Sequence, residues 1–396
     1  MSKALEGITV LDIGQLVQGP QAGATLADMG ADVIKIELPM IGDLSRWVFC
    51  SEEDTRSAYY VACNRGKKGM TLDLRVAEGA AIFKKMVETA DIVISNFKPG
   101  TLEEWGLGFE ALEQVNPGII LASGSSFGPI GPDAALEGAD LAGQCAGGLI
   151  TTIGYDGTPY APVGVTIADH IGSQNLLSGV LAALFHRQRT GKGQRIEGSL
   201  LGGQIWAQAS EYTHHLMTGE LPGRGHYSHP LLRGVYGIFE TSDGWIGIVG
   251  VPPASRDAFF IAMDQPELAL DERYLGLLTS REDLTELFER LNPVFRTKTT
   301  DEWCAALREM GVRYAPVRDY AQAVADEGAW ENGYFQEATD AAGETRRIVG
   351  APIRMSLTPL QPSGQVPSLG QHTDEILGAY GYGEEEIADL RGRNIV

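Results

Sequence analysis

The sequence predicts an α/β fold with a parallel sheet and helices on both of its faces. Through the first 125 residues, short apolar runs of strand length alternate with helical segments, and Gly and Pro mark several of the boundaries. Alternation of this kind is typical of doubly wound sheets, whose crossover helices pack back onto the sheet. The length of 396 residues leaves room for a second domain.

The order of the elements follows from the apolar pattern and the turn residues. Strands are predicted at residues 8–13, 33–37, 92–95 and 119–123. Helices are predicted at 20–29, 78–89, 102–114, from Asp169 to about 190, and at 374–377. Pro20 suits the first turn of a helix, and Gly30 suits the residue that follows one.

A change of character near residue 221 suggests the domain boundary. Two short apolar runs at 234–239 and 245–249 are joined by Ser-Asp-Gly, which predicts a β-hairpin. Charge-rich helical segments follow this hairpin. We therefore expect a large domain at 1–220 and 330–396, and a smaller α+β domain at 221–329.

The composition is strongly acidic, with 52 Asp and Glu against 31 Lys and Arg and a formal net charge of −21. Such a surface repels nucleic acid and anionic membranes, so neither is an expected partner. An anionic ligand would need a local basic pocket. The segment NRGKKG at 64–69 concentrates positive charge, and it is open to two interpretations: a phosphate contact or a solvated turn.

Several sites and locations are not expected. The four cysteines are far apart and the histidines lack metal-ligand spacing, so we expect reduced thiols and no metal site. The first residues lack the apolar run of a signal peptide, and no run of about 18 apolar residues occurs, which favours a cytoplasmic protein.

Two partial motifs fail in their context. The turn GQLVQG at 14–19 lacks the G-x-G-x-x-G spacing of dinucleotide-binding loops. The segment GSSFG at 124–128 matches a nucleophile elbow, but Pro-Ile-Gly-Pro follows where that motif needs a helix. Neither nicotinamide binding nor a serine hydrolase is favoured.

Asp169 is the candidate reactive residue. It lies between the apolar segment 163–168 and a helix that contains Gly, Ser and Ala. Asp is a preferred N-cap residue, so capping is one interpretation. A reactive carboxylate, with small residues leaving room for a ligand, is the other.

Segments along nearly the whole chain resemble the CaiB/BaiF family, the class III coenzyme A transferases. These segments are LEGITVLD at 5–12, GADVIKIE at 30–37, NRGKK at 64–68, NFKPG at 96–100, QCAGG at 144–148, TGKGQ at 190–194 and PSLGQHT at 367–373. The resemblance implies two interlocked, ring-like subunits. It also implies that each has a Rossmann-like large domain built from both chain ends.

The resemblance further implies a reaction in which Asp169 is the nucleophile. Its carboxylate would attack an acyl-CoA thioester, and an aspartyl-CoA thioester would then pass CoA to a carboxylic acid, such as a dicarboxylate with succinyl-CoA as donor. An Asp with the usual pKa near 3.9 is ionised at neutral pH and needs no activating base. CoA and acyl-CoA would be substrates, with no tightly bound cofactor.

Other site residues are carried over from matching positions. Asp140 matches an acid held near the nucleophile, and Val17 and Gln18 lie near the reacting carbonyl, with Gln18 counted among the catalytic residues. The implied CoA contacts are Val17 and Gln18 together with Leu72, Asp73, Leu74, Arg75, Asn96, Phe97 and Lys98, and Arg75 and Lys98 are expected at the phosphates. Lys67 and Lys68 are expected to add supporting charge.

The chain also departs from the family pattern, and two alternatives remain open. Leu38 and Glu104 stand where many members have Arg, and Ala139 stands where many have Tyr. Racemases of the same fold have a His before the acid that matches Asp140; Ala139 supplies no such base, which disfavours an α-methylacyl-CoA racemase or CoA-ester isomerase. A non-catalytic acyl-CoA-binding protein is the second alternative.

Overall fold

A computed structural model describes residues 3–48, 57–226, 228–232, 234–275, 280–340 and 343–396. Contacts divide the chain into two compact units. The sheet unit comprises residues 1–148, 163–207 and 327–396, and the hairpin unit comprises 149–162 and 208–326. In the described part of the chain, no helix is long and apolar enough to cross a bilayer.

A six-stranded parallel sheet, counted over the described residues, organises the sheet unit. Its strands are β1 (Thr9–Asp12), β2 (Asp32–Glu37), β3 (Lys68–Thr71), β4 (Ile92–Ser95), β5 (Ile120–Ser125) and β6 (Gln194–Ser199). The spatial order is β3-β2-β1-β4-β5-β6. The direction of winding reverses between β1 and β4, and ligands bind at the carboxyl ends of strands beside such a switch point.

Helices pack on both faces of this sheet, as the alternating pattern predicts. They are α1 (Gln18–Asp28), α2 (Ala58–Asn64), α3 (Ala77–Val87), α4 (Thr101–Glu104), α5 (Phe109–Val115), α6 (Asp140–Ala146), α7 (Ile167–Thr190) and α8 (Leu200–Ala207). One apolar cluster joins α3 and α5 to one face, and another joins α1 and α7 to the opposite face. The prediction of an α/β fold with a parallel sheet is confirmed.

Two predictions about individual elements are wrong. The single helix predicted at 102–114 is divided into α4 and α5, because Gly106 between them adopts a φ of +69° that ends the first helix. The basic segment 64–69 turns between α2 and β3, but it is not a solvated turn, because Asn64, Arg65 and Lys67 are buried. β3 and β6 are not predicted because their sequences, KGMT and QRIEGS, lack an apolar run.

The hairpin unit contains a three-stranded antiparallel sheet and helices around an aromatic core. Its elements are α9 (Ala209–Thr218), β7 (Tyr236–Glu240), β8 (Trp245–Val249), α10 (Arg256–Ala262), α11 (Glu272–Leu275), α12 (Arg281–Phe295), α13 (Thr300–Glu309), β9 (Tyr314–Pro316) and α14 (Tyr320–Val324). β7 and β8 form the predicted hairpin. Phe239 stacks on Phe295 with ring centroids 4.4 Å apart.

The hairpin unit also takes in residues 149–162 and 208–220, which the sequence analysis assigns to the large domain. Backbone hydrogen bonds explain this grouping. The Gly225 amide donates to Thr152 O at 2.8 Å, and the His226 amide donates to Gly154 O at 3.1 Å. These bonds hold 149–162 against the loop that precedes β7.

The chain then returns to the sheet unit. The elements of this last segment are α15 (Glu327–Glu331), β10 (Phe335–Thr339), β11 (Thr345–Val349), α16 (Thr373–Ala379) and α17 (Glu384–Gly392). Ile376, Leu377 and Leu390 are buried in the cluster that also contains α3. The Asp73 amide donates to Ile395 O at 2.8 Å, so the C-terminal segment supports the loop after β3.

Candidate active site

Asp169 lies in the first turn of α7, and it is not the cap of that helix. The residue before the helix is Thr166, whose side chain makes no capping hydrogen bond. Asp169 is the third residue of α7 and is partly buried. The capping interpretation is therefore wrong, and the carboxylate of Asp169 is available for another role.

Asp140 caps α7 from the N-terminus of α6. Its Oδ1 accepts the amide of Ala168 at 2.7 Å and the amide of Asp169 at 3.2 Å. These are amides that a helix leaves without partners in its own first turn. An acid at this end also faces the positive end of the helix dipole. Asp140 thereby holds the start of α7 through two backbone amides, one of them that of Asp169.

Gln144 orients this capping carboxylate. Its Nε2 donates to Asp140 Oδ2 at 2.6 Å, while its Oε1 accepts the amide of Val163 at 3.0 Å. Close packing makes this possible: a Cβ added to Gly143 would lie 2.9 Å from the Cβ of Ala168. Glycine at 143 therefore lets α6 approach α7 closely enough for the capping bonds.

The carboxyl of Asp169 has an elevated pKa. Burial, and then the negative charge of Asp140, raise the pKa of Asp169 to about 7. The expectation of a fully ionised nucleophile at neutral pH is corrected by this value, because a carboxyl with a pKa near 7 is about half protonated there. A pKa raised in this way is typical of functional carboxyls.

His170, next to Asp169, is tied to α1. Its Nδ1 is hydrogen-bonded to Oε1 of Gln21. Burial lowers the pKa of His170, which keeps its imidazole neutral near pH 7. This contact joins the first turns of the two helices α1 and α7.

Gln18, the first residue of α1, lies against the same side of α7 as Asp169. Its Nε2 donates to Ser125 O at 3.4 Å. A Cβ added to Gly172 would lie 2.8 Å from that Nε2, and one added to Gly124 would lie 2.4 Å from its Oε1. Gly172 is three residues after Asp169, so both share one face of the helix. The structure thus brings Gln18, Asp140 and Asp169 together, and Val17 is buried beside them.

Five of the residues expected to contact CoA line a separate cavity at the carboxyl ends of β1 to β4. Its volume is about 300 Å³, and Leu72, Asp73, Leu74, Arg75 and Phe97 are among its lining residues. Leu38 and Trp105 complete much of its apolar wall. Trp105 packs edge-on against Phe97 with ring centroids 5.1 Å apart, a contact that the sequence analysis does not predict.

The two expected phosphate contacts have acidic neighbours. Arg75 is half exposed and pairs with Asp73, with its Nη2 2.7 Å from Oδ2, and this hydrogen bond lowers the pKa of Asp73. Lys98 is also half exposed and lies 3.5 Å from Glu137. Lys98 lines a cavity of about 220 Å³ that also contains Arg195, a cation that the sequence analysis does not single out.

Asn96 and the basic segment 64–69 are engaged within the protein. Asn96 Oδ1 accepts the amide of Gln15 at 2.6 Å, and its Nδ2 donates to Gln15 O at 2.8 Å. Lys67 is buried and pairs with Asp12 at 2.6 Å, while Arg65 pairs with Asp28. The phosphate-contact interpretation of 64–69 is therefore wrong for Lys67 and Arg65. Lys68 lies 3.7 Å from Asp32 and 3.4 Å from Glu375.

Among the described residues, no group of three or more His, Cys, Asp or Glu side chains is arranged to hold a metal ion. Cys63, Cys145 and Cys304 are free thiols, and Cys50 lies outside the described residues. The side chains gathered around Asp169 are the carboxylate of Asp140 and the amides of Gln18 and Gln144.

The model of CoA-transferase family III matches residues 5–373. The chain belongs to CoA-transferase family III. It is thus an enzyme of the CoA-transferase class, acting on CoA thioesters, and the non-catalytic acyl-CoA-binding alternative no longer applies.

Relatives with assigned names cover almost the whole chain of this family III member. Succinyl-CoA--D-citramalate CoA-transferase of Chloroflexus aurantiacus is 32% identical over 100% of the chain and 98% of its own length. Succinyl-CoA:mesaconate CoA-transferase of Haloarcula hispanica is 34% identical over 96% and 97%. Succinate--glutarate CoA-transferase of Agrobacterium fabrum is 33% identical over 94% of each.

Solved structures agree with this assignment. A CaiB/BaiF family protein from Brucella suis superimposes with a TM-score of 0.84 at 30% identity, over 96% of this chain and 100% of that one. A Mycobacterium tuberculosis protein gives a TM-score of 0.82 at 28% identity, over 94% and 98%. The predicted family is confirmed.

Proposed function

We propose that the protein transfers CoA from succinyl-CoA to a dicarboxylic acid, with Asp169 as the covalent nucleophile. The observation that carries the proposal is the setting of Asp169. It is a partly buried carboxyl in the first turn of α7, beside Asp140 and on the helix face that Gln18 contacts. The named relatives act with succinyl-CoA or succinate, and their acceptors are citramalate, mesaconate and glutarate.

The first half-reaction moves the CoA onto the protein. The Asp169 carboxylate attacks the thioester carbonyl, the carbon–sulfur bond breaks, and a mixed anhydride and the CoA thiolate form. The thiolate then attacks the aspartyl carbonyl of the anhydride. An aspartyl-CoA thioester results, and the donor acid leaves as its carboxylate.

The second half-reaction reverses these steps with the acceptor. The acceptor carboxylate attacks the aspartyl thioester and releases CoA thiolate, which then attacks the acceptor carbonyl of the new anhydride. The acyl-CoA product leaves and the Asp169 carboxylate is regenerated. No proton is transferred in the net reaction, so a general base is not required.

Gln18 and Asp140 have separate roles in this proposal. The Gln18 side-chain amide, on the Asp169 face of α7, is placed to donate to the oxyanions that form at the attacked carbonyls. Asp140 fixes the backbone of Asp169 and raises the pKa of its carboxyl. A carboxylate of higher basicity is a stronger nucleophile once it is ionised.

We assign the CoA moiety to the cavity formed by Leu72–Arg75 and Phe97. Its apolar wall suits an adenine ring, and Arg75 at its edge suits a phosphate. Val17, Asn96 and Lys98 are assigned to the path between this cavity and Asp169. We also propose an interlocked homodimer, which is consistent with the exposed Phe185 and Trp206 on α7 and α8.

An isotope experiment tests the covalent mechanism. The protein is incubated with succinyl-CoA and a dicarboxylate labelled with ¹⁸O in both carboxylates, and the peptide containing Asp169 is analysed by mass spectrometry. The bridging anhydride oxygen remains on the aspartyl group when thiolate attacks the acceptor carbonyl, so Asp169 should gain ¹⁸O. Borohydride trapping of the aspartyl-CoA thioester provides a second readout.

Two variants serve as the comparison. Asp169→Asn should lose CoA transfer and label incorporation. Asp32→Asn changes an exposed acid at the opposite, amino-terminal end of the sheet and should retain both. CoA transfer at the wild-type rate by Asp169→Asn would refute the nucleophile assignment.

A further inference from the structure

The turn between β1 and α1, residues 14–17, is held by buried charged groups. The Gly14 amide donates to Asp12 Oδ1 at 2.9 Å, and the Gly14 carbonyl accepts the ammonium of Lys35. The Leu16 amide donates to Asp43 Oδ1 at 3.0 Å. Each of these contacts fixes a backbone group in the turn that precedes Gln18.

Leu16 adopts a backbone conformation that needs support. Its φ is +61°, in the left-handed region that a residue with a branched side chain seldom occupies. Such a conformation is strained and persists where surrounding contacts impose it. The Leu16 amide donates to Asp43 Oδ1, and this hydrogen bond stabilises the left-handed turn.

Asp43 is itself held by a buried ion pair. Its Oδ2 lies 2.7 Å from Lys35 Nζ, and both side chains are fully buried. Its Oδ1 also accepts the amide and hydroxyl of Ser45, each at 2.8 Å. Burying two charges is costly, and fold stability alone is often served as well by apolar side chains. Stability alone therefore does not explain this ion pair, and the groups that it holds in position become relevant.

The turn at residues 14–17 leads directly into α1, whose first residue contacts the face of α7 that carries Asp169. Val17 is the residue before α1, and Gln18 is the first residue of that helix. From the other side, Lys67 Nζ donates to Pro20 O at 2.7 Å, so the first turn of α1 is fixed at both ends. A rotation of the turn at Leu16 would move the Gln18 amide away from Gly172 and Ser125.

We propose that Asp43 is a positioning residue for CoA transfer: by holding the Leu16 amide, it sets the turn that places Gln18 against the Asp169 helix. The proposal rests on the proposed function, because it assigns Asp43 to the reaction through Gln18. Asp43 touches neither substrate nor the reacting atoms. Gly42 and Leu44, on either side of Asp43, line the cavity assigned to CoA, so removing Asp43 should affect the chemical step more than CoA binding.

Steady-state kinetics of Asp43→Ala provide the first test. Removing the acceptor should lower kcat by about 10- to 100-fold, as expected when a catalytic group is displaced by about 1 Å, and KM for succinyl-CoA should change by a smaller factor. Asp43→Asn keeps an oxygen for the Leu16 amide and should recover most of the loss. If Asp43→Ala does not fold, Lys35→Met/Asp43→Ala removes the unpaired ammonium as well; it should show at least as large a fall in kcat, since Lys35 also holds the Gly14 carbonyl.

Asp28→Ala is the matched control. Asp28 is a buried acid paired with Arg65 in the same unit, at the far end of α1 from Gln18. Its loss should lower thermal stability as Asp43→Ala does, but it should leave kcat near the wild-type value. An equal kcat for folded Asp43→Ala and Asp28→Ala would overturn the proposal.

Leu16→Gly supplies a rescue experiment. Glycine adopts positive φ without a steric penalty, so the turn needs less support from Asp43 when residue 16 is glycine. The fall in kcat caused by Asp43→Ala should therefore be smaller in the Leu16→Gly background than in the wild-type background. An equal fall in both backgrounds would contradict the assigned route through Leu16.

Hydrogen exchange separates this proposal from the proposed function. Peptides covering residues 13–19 should exchange faster in Asp43→Ala than in wild type and Asp28→Ala, a result that does not depend on activity. If wild type itself shows no CoA transfer while Asp43→Ala still loses protection, the proposed function is refuted and the structural step remains in place. Unchanged protection would refute the positioning role of Asp43 whatever the activity.

Discussion

Asp140 accepts the backbone amide of Asp169 at 3.2 Å, so one acid caps the helix that carries the other. This arrangement affects both the start of the helix and the pKa of the Asp169 carboxyl. It stabilises the helix start, because an acidic acceptor meets free amides there. It also places a second negative charge near the Asp169 carboxyl, which raises the pKa of that group together with burial.

The pH dependence of catalysis should report this pKa. The carboxylate is the proposed nucleophile, so kcat/KM for succinyl-CoA should fall about tenfold per unit below the pKa near 7. Asp140→Asn removes the neighbouring charge and should move the acidic limb to lower pH. Glu110→Gln, an exposed change on α5, should leave the limb in place. An acidic limb that Asp140→Asn does not move would contradict the assigned coupling.

Stability should depend on pH through the same group. The Asp169 pKa rises from about 3.9 in the unfolded chain to about 7 in the folded one, so the folded state binds the proton more tightly. The stability contributed by this proton is present below pH 4 and is lost as the pH rises through 7. Relative to wild type, Asp169→Asn should therefore gain up to about 4 kcal/mol between pH 4 and 8.

Urea unfolding at several pH values measures this difference. For each protein, the free energy of unfolding at pH 4 is subtracted from that at pH 8. This difference is then compared between wild type and Asp169→Asn, because it cancels any pH-independent effect of the Asn side chain. Asp32→Asn, at an exposed position, should show no such trend. A difference between wild type and Asp169→Asn that stays constant with pH would argue against the raised pKa.

The sequence predicts the elements that have strong local signals. β1, β2, β4 and β5 have apolar runs. α7 ends at Thr190, as predicted, and is followed by Gly191 with a φ of +74°. β3 and β6 have no such run, because their pairing depends on neighbours far away in the sequence.

The chemical environment of the candidate site depends even more on distant contacts. Asp140 and Asp169 are 29 residues apart, and no periodic pattern indicates that one caps the other's helix. The charge of the segment 64–69 allows a phosphate contact at Lys67, but this residue is buried against Asp12, 55 residues away. Charge patterning alone cannot distinguish a solvated lysine from one neutralised by a remote carboxylate.

Gly172 should be critical for the position of Gln18. An alanine Cβ would lie 2.8 Å from Gln18 Nε2, so the amide must move. Gly172→Ala should therefore lower kcat by about tenfold or more, although alanine favours the helix by about 1 kcal/mol. Gly378→Ala in α16 has open space around the new Cβ and should leave kcat unchanged. Equal kcat values for the two variants would show that Gln18 tolerates the displacement.

Binding of CoA should depend on Arg75 and Lys98. The Arg75 and Lys98 side chains are both half exposed, and each borders a cavity at the carboxyl ends of the strands. Since each would contact a CoA phosphate, Arg75→Ala and Lys98→Ala should each raise KM for succinyl-CoA by about tenfold, with kcat unchanged.

The salt dependence of KM distinguishes a phosphate contact from a general loss of charge. In wild type, KM for succinyl-CoA should rise with ionic strength, and the rise should be smaller in Arg75→Ala and Lys98→Ala. Lys192→Ala removes an exposed charge in the segment between α7 and β6 and should retain the wild-type dependence. If all three variants keep the wild-type KM and salt dependence, the CoA phosphates bind elsewhere on the protein.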